Sequence, residues 1–65
     1  MSKSVHVVPN TNGWAVKKCG ALKASTTAKT KAQAINKGKT ISKNSNTDLY
    51  VHGKDGRIER KISFS

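Results

Sequence analysis

The chain has 65 residues, and 13 Lys or Arg residues against three Asp or Glu residues give it a formal net charge of +10 at pH 7. This length is near the lower limit for folding around one hydrophobic core, so we expect a single domain that spans residues 1–65. The single cysteine, Cys19, excludes an internal disulfide, and no group of Cys and His residues has the spacing of a zinc site. Neither a signal peptide nor a transmembrane run is predicted, which favours a cytoplasmic location.

The beginning of the chain predicts a β-hairpin. Residues 4–8 are mostly β-branched and form the first predicted strand, which ends before Pro9 because proline has no N–H group to donate to a neighbouring strand. Residues 10–13 include Asn and Gly, which tolerate a positive φ and therefore favour a turn. The apolar alternation then resumes, with Trp14 and Val16 on one face of a second strand.

A third short strand is predicted after the break at Cys19 and Gly20. It covers Ala21 to Ala24 and places Leu22 in the core. The stretch that follows, up to residue 30, is rich in Ser and Thr and predicts a polar connector.

One helix is predicted to begin at Lys31. Thr30 and Gln33 match a capping box, in which the two side chains bond to each other's backbone N–H groups. Small and apolar residues recur at helical spacing along one stripe, while polar residues take the other side. The stripe consists of Ala34, Ile35, Gly38, Ile41 and Ser42. Because Gly38 lacks a side chain, its place on the stripe predicts a close approach of the helix to the sheet. Residues 44–46 end the helix.

Two further strands are predicted after the helix. Asp48 to His52 has Leu49 and Val51 on one face, and the Asp-Gly turn in residues 53–56 leads into a last strand from Arg57 to Phe64. The residues predicted on one face of that last strand are Ile58, Arg60, Ile62 and Phe64. The fold class is therefore α+β, an antiparallel sheet of four to five short strands with one helix packed on one face, in the order β-β-(β)-α-β-β.

Four motifs follow one another along the chain. They are HVVP at 6–9, GWAVK at 13–17, TKA at 30–32 and VHGKDGRI at 51–58. In this order they resemble a family of short bacterial and phage-borne proteins that is catalogued as a domain of unknown function, with the consensus HVVP…GWAVK…TKAEA…HGRDGRI. The resemblance covers nearly the whole chain and implies the same order of elements, but no established activity. Gln33 replaces a usual Glu, and Cys19 a commonly acidic residue, so this chain is more basic than its relatives.

The chain offers few groups for catalysis. The candidate acids, bases and nucleophiles are His6, Cys19, His52, Asp48, Asp55 and Glu59, and they form no recognisable constellation in the sequence. We therefore predict a binding module that is not an enzyme, without a cofactor or a metal site.

The excess of positive charge predicts a polyanionic partner, and nucleic acid is the leading candidate. Eleven of the 13 cations are Lys, which suits phosphate contacts better than bidentate recognition of bases. The first candidate surface is the helix and its start, with Lys29, Lys31, Lys37, Lys39 and Lys43. The second is the sheet face away from the helix, where a tyrosine can stack on a base. Its candidate contacts are Lys17, Tyr50, Arg57 and Lys61.

Other partners are compatible with the same charge. An acidic protein surface is the main alternative, and for a phage-borne protein the resemblance extends it to a host factor. The uncovered sheet face, with Val8, Ala15 and Tyr50, can also pair with a second copy in a homodimer. A membrane surface is not expected, because the outer face of the helix lacks large apolar residues. The lysines can also serve only as a solvated, solubilising surface.

Overall fold

The computed structural model of the chain describes residues 4–19 and 23–64. Within these residues it contains one helix and one five-stranded sheet, whose strands lie in the order β3-β2-β1-β4-β5. The elements are β1 Ser4–Asn10, β2 Gly13–Lys18, β3 Thr26–Ala28, α1 Lys31–Ser45, β4 Asp48–His52 and β5 Ile58–Ile62. β1 and β4 are parallel, and the other neighbouring strands are antiparallel. The predicted α+β class is confirmed, with one parallel pair because α1 carries the chain back across the sheet.

The predicted β-hairpin of β1 and β2 is present, and its turn lies between Asn10 and Gly13. β1 continues two residues beyond Val8, the predicted end, and includes Pro9 opposite Trp14. β4 pairs with β1 only as far as Val7, so Pro9 has β2 as its one neighbouring strand. Its missing N–H group therefore removes no hydrogen bond to β4.

The third strand lies further along the chain than the sequence predicted. β3 occupies Thr26–Ala28 and pairs with β2, within the stretch that was expected to be a polar connector. Of the predicted strand from Ala21 to Ala24, the first two residues, including Leu22, lie outside the described residues, and Lys23 and Ala24 are not in a strand. β3 lies at the edge of the sheet and contains two β-branched threonines, which favour a strand conformation. It therefore pairs with β2 although it contains no large apolar side chain.

The helix begins and ends where its capping residues predict. The backbone N–H of Gln33 donates to the Thr30 hydroxyl at 3.2 Å, which fixes the start at Lys31. Asn46 adopts the left-handed conformation, with φ 52°, and its N–H bonds back to carbonyl groups of the last turn. These two caps hold α1 at the length that spans the sheet.

The core lies between α1 and one face of the sheet. Its largest fully buried apolar side chains come from the central strands and are Val5, Val7, Val16, Leu49 and Val51, and α1 adds Ala34. Gly38 lies directly above them: a Cβ atom at this position would stand 2.9 Å from Leu49 Cδ1 and 3.2 Å from Val7 Cγ2. The predicted close approach of the helix to the sheet at Gly38 is therefore confirmed.

The last strand is shorter and less regular than predicted, because it covers Ile58–Ile62 instead of Arg57 to Phe64. A β-bulge at Val51 and His52 inserts one extra residue, so that Arg60 lies opposite Val51 but Ile58 lies opposite His52. Ile58 is consequently 56% exposed. The expected common face from Ile58 to Phe64 is interrupted at this bulge.

Ser42 is fully buried on the inner side of α1, and its hydroxyl oxygen has no hydrogen-bond partner in the described part of the chain. We expect Ser42→Ala to raise the free energy of unfolding by about 1 to 2 kcal/mol, because it removes a buried unpaired hydroxyl and improves helix propensity. Urea unfolding measures this change. Ser45→Ala, at an exposed position of the same helix, gives the propensity effect alone. A destabilised Ser42→Ala protein would contradict the prediction.

Candidate polyanion-binding surfaces

Positive and negative charges are separated along the chain. Asp48, Asp55 and Glu59 are the acidic residues, so residues 1–47 contain none, although they contain nine of the 13 cations. The acidic residues belong to β4, β5 and the loop between them, at one side of the sheet. The other side, formed by β1, β2, β3 and α1, therefore contributes no acidic residue of its own, and among the described residues only its Lys31 is paired with an acidic side chain, Glu59 of β5.

Three of the nine predicted contact residues face an acidic side chain. The ion pairs in residues 4–19 and 23–64 are Lys31 with Glu59, Arg57 with Asp55 at 3.7 Å, and Lys61 with Asp48 at 3.8 Å. All are at least partly exposed, so they add little to stability, but they offset the charge that a polyanion would meet. The predicted contacts that remain uncompensated are Lys17, Lys29, Lys37, Lys39 and Lys43.

The helix lysines do not form one surface. Lys37 leans toward β3, where its ammonium donates to the backbone carbonyl of Thr27 at 2.8 Å. Lys39 is two residues further on, roughly 200° around the helix axis, and Lys43 follows it by one turn. Lys39 and Lys43 therefore lie on the flank away from β3, while Lys29, which directly follows β3, lies on the side of Lys37.

Lys29 and Lys37 line a polar groove, which we call the β3 groove. It lies between the β1–β2 turn, β3 and the first turns of α1, and has a volume of about 790 Å³. Residues with side-chain amides line it from the turn and from the helix, namely Asn10, Asn12 and Gln33, and Trp14, Thr27 and Ala28 complete the lining. Its volume is within the range of ordinary ligand sites. The sequence marked Asn10 and Asn12 only as turn residues and did not predict this groove.

Two of the three side-chain amides of the β3 groove are available to a ligand, whereas the third, that of Asn10, accepts from the backbone N–H of Thr11. The side chains of Asn12 and Gln33 make no hydrogen bond with the residues that the structure describes. Only half of the predicted capping box is formed, because the Gln33 side chain does not return to Thr30. A side-chain amide can both donate and accept a hydrogen bond. The groove therefore combines cations with groups that can bond to uncharged polar atoms of a ligand.

Trp14 belongs to the core. It is 8% exposed, and the Lys31 ammonium lies 5.4 Å from the centre of its ring. The buried ring and the overlying cation leave no open face for a base.

The face of the sheet away from α1, which we call the open sheet face, gathers Lys17, Tyr50 and Lys61. The strand register places Tyr50 opposite His6 on one side and opposite Lys61 on the other. The Tyr50 ring stacks on His6 at 5.2 Å between centroids, and the Lys61 ammonium lies 5.7 Å from its centre. Tyr50 thus has an aromatic neighbour on β1 and a cationic neighbour on β5. Arg57 does not join this group, since it lies in the loop before β5.

A chain of hydrogen bonds crosses the open sheet face. Ser4 Oγ lies 2.9 Å from His6 Nε2, His6 Nδ1 lies 2.8 Å from His52 Nε2, and His52 Nδ1 lies 2.9 Å from the carbonyl oxygen of Gly56. Burial, and to a smaller extent the charge of His52, lower the pKa of His6 below its ordinary value of 6.5. Strand alternation places both histidines on this face, and the parallel register of β1 and β4 brings them into contact.

The described residues contain no group of three or more His, Cys, Asp or Glu side chains that could hold a metal ion. Cys19 is exposed and is not part of a disulfide. The helix found in residues 4–19 and 23–64 is not long and apolar enough to cross a membrane.

Comparison with known proteins finds relatives in bacteria. A family model described as "Uncharacterized protein conserved in bacteria (DUF2188)" matches residues 5–64. The chain is also 42% identical over 62 residues to the uncharacterized protein YdaT of Bacillus subtilis (strain 168), a match that covers 95% of this chain and 41% of that protein. The chain thus spans less than half the length of this curated relative. No solved structure matches the chain.

Proposed function

The chain belongs to this family of bacterial proteins, DUF2188, and from the charge distribution of this member we propose that it binds nucleic acid through the β3 groove. The observation that carries the proposal is the absence of any acidic residue from residues 1–47, which build the groove and the strands and helix around it. Phosphate groups are the anions that such an uncompensated set of lysines attracts most strongly in the cytoplasm, the expected location.

The groove supplies two kinds of contact. Lys29 and Lys37 provide ammonium groups for phosphates, which position a nucleic acid without reading its sequence. The unpaired amides of Asn12 and Gln33 can hydrogen-bond to a base edge or a sugar hydroxyl. The first turn of α1 contains no acidic residue, so the partial positive charge of the helix N-terminus adds to the attraction, although the Glu59 carboxylate that pairs with Lys31 offsets part of it.

An acidic protein is the second candidate partner, because the same lysines attract carboxylates. The amides in the groove favour nucleic acid, since a partner recognised by charge alone does not require them. Competition separates the two: polyglutamate of matched charge should displace a bound oligonucleotide much less effectively than unlabelled oligonucleotide does. Equal displacement would favour the acidic protein. A homodimer through the open sheet face is a weaker proposal, because it would bring Lys17 and Lys61 of two copies together.

The proposal predicts that charge reversal in the β3 groove weakens nucleic-acid binding. We expect Lys29→Glu combined with Lys37→Glu to lower the affinity for an oligonucleotide at least about tenfold at near-physiological salt. The slope of log affinity against log salt should also become shallower by about 1 to 2, because one or two phosphate contacts are lost. Fluorescence anisotropy over a salt series measures both quantities.

The matched control changes the net charge equally on the other side of the sheet. Lys54 and Arg60 are exposed, belong to the β4–β5 side, and have no ion pair among the described residues. Lys54→Glu combined with Arg60→Glu should therefore change the affinity less than about threefold. An equal loss in both variants would assign binding to overall charge and not to the groove. No binding by the unaltered protein at micromolar concentration would refute the function, provided that circular dichroism shows it folded.

A further inference from the structure

The chain contains two histidines, and the open sheet face brings both into direct contact. Hydrogen-bond chemistry fixes their neutral tautomers. The carbonyl oxygen of Gly56 can only accept, so His52 carries its proton on Nδ1 and accepts at Nε2. His6 must then donate from Nδ1 to His52, and its Nε2 accepts from the Ser4 hydroxyl. At neutral pH the four groups form one directed chain of hydrogen bonds.

This chain accepts one additional proton but not two. If His52 is protonated, it donates from Nε2, and His6 adapts by moving its own proton to Nε2, where it donates to Ser4. If both rings are protonated, two N–H groups face each other across 2.8 Å, and two positive charges repel at contact distance. A second proton therefore requires the rings to separate.

The surroundings of the pair are cationic. Lys17 of β2 lies opposite His6, and Lys61 of β5 lies opposite Tyr50 of β4, while α1 packs on the other face. The remaining charged groups nearby are Asp48, which faces Lys61 and Ser63, and Asp55 and Arg57, which pair with each other beside Gly56. The described residues thus provide no free carboxylate to stabilise two imidazolium rings, so an external anion must do so.

We propose that the protonated histidine pair opens and, with Lys17 and Lys61, forms a second contact for the phosphates of a bound nucleic acid. This inference rests on the proposed function for its partner, but it concerns a different face of the sheet. A phosphate between the rings replaces their mutual repulsion by two attractions. Because linkage is reciprocal, phosphate binding promotes proton uptake, and lower pH strengthens binding. The low proton affinity of His6 in the free protein keeps this contact inactive at neutral pH.

The test compares the affinity for oligothymidylate at pH 7.0 and pH 5.5, a range in which the thymine bases and the phosphodiesters do not titrate. We expect the unaltered protein to bind at least about tenfold more tightly at pH 5.5, the effect of roughly one linked proton. His6→Gln combined with His52→Gln should abolish the dependence on pH. Lys29→Glu combined with Lys37→Glu should retain it, because the β3 groove is separate from the open sheet face.

The outcomes distinguish this inference from the proposed function. Binding of equal strength at both pH values would overturn the histidine contact and leave the groove proposal intact. Binding at pH 5.5 alone would support the histidine contact and overturn the groove, and no binding at either pH would overturn both. If the double glutamine variant does not fold, ¹⁵N NMR of the unaltered protein at pH 6, with and without oligothymidylate, tests the histidine contact instead. Oligothymidylate should shift both imidazole rings toward their protonated signals, and unchanged signals would refute the inference.

Discussion

Gly13→Ala is expected to remove a large part of the free energy of unfolding of the protein. Gly13 has φ 141°, a conformation that residues with a side chain rarely adopt. A Cβ atom there would lie 2.5 Å from the carbonyl oxygen of Ala28 and 3.0 Å from that of Lys29. Both are backbone atoms and cannot rotate away, so β3 must move off the hairpin. We expect a loss of about 3 kcal/mol or more, against a total stability of about 3 to 10 kcal/mol for a chain of this size.

Thermal and urea unfolding, followed by circular dichroism, measure this effect. Gly56→Ala is the matched control, because Gly56 also has a positive φ, 87°, but no atom lies within 4 Å of its missing Cβ. The control should lose only about 1 to 2 kcal/mol, the conformational cost alone. Similar losses of stability in the two variants would mean that the steric contact with β3 is not what excludes a side chain at position 13. Since Lys29 follows β3 directly, a folded Gly13→Ala protein should also bind nucleic acid less tightly.

Gly38→Val is expected to separate the helix from the sheet and to lower the free energy of unfolding by about 2 to 3 kcal/mol. The Cβ atom alone would meet Leu49 at 2.9 Å and Val7 at 3.2 Å, and both side chains are fully buried, so they have little room to adjust. The two methyl groups of valine increase this overlap. The better helix propensity of valine relative to glycine does not offset it.

The control for Gly38→Val is Asn36→Val, at an exposed position in the middle of the same helix. Asparagine and valine have similar helix propensities, so this change should stay within about 0.5 kcal/mol of the unaltered protein. Urea unfolding compares the two variants. A Gly38→Val protein as stable as the control would show that the core under α1 is loosely packed.

Local signals predicted most of the fold. Three of these signals act within a few residues: the turn at residues 10–13, the capping residue Thr30 and the apolar stripe through Gly38. The structure confirms the prediction made from each of them. β3 was misplaced because Thr26–Ala28 is short and polar, and pairs at the sheet edge through its backbone, whereas Leu22 attracted the strand prediction. The parallel pairing of β1 with β4 depends on how α1 crosses the sheet, which periodicity does not specify.

The candidate sites were less predictable than the fold. Composition reveals an excess of lysine, but which lysines are uncompensated depends on contacts such as that of Lys31 with Glu59, 28 residues apart. Helical spacing is enough to predict that Lys37 and Lys39 lie on different flanks of α1. Only the position of β3 shows that the flank with Lys37 borders a groove. The contact of His6 with His52 joins residues 46 positions apart, so only the register of β1 and β4 reveals it.

The ammonium group of Lys37 has a second consequence, for the colloidal behaviour of the protein. An unpaired edge strand is a template on which further chains can add, and a lysine is one of the devices that prevent such growth. Because Lys37 occupies the carbonyl oxygen of Thr27 in the edge strand, this backbone group is denied to an incoming strand. A ligand that draws Lys37 away uncovers that edge, so the loaded protein should aggregate more readily than the free one.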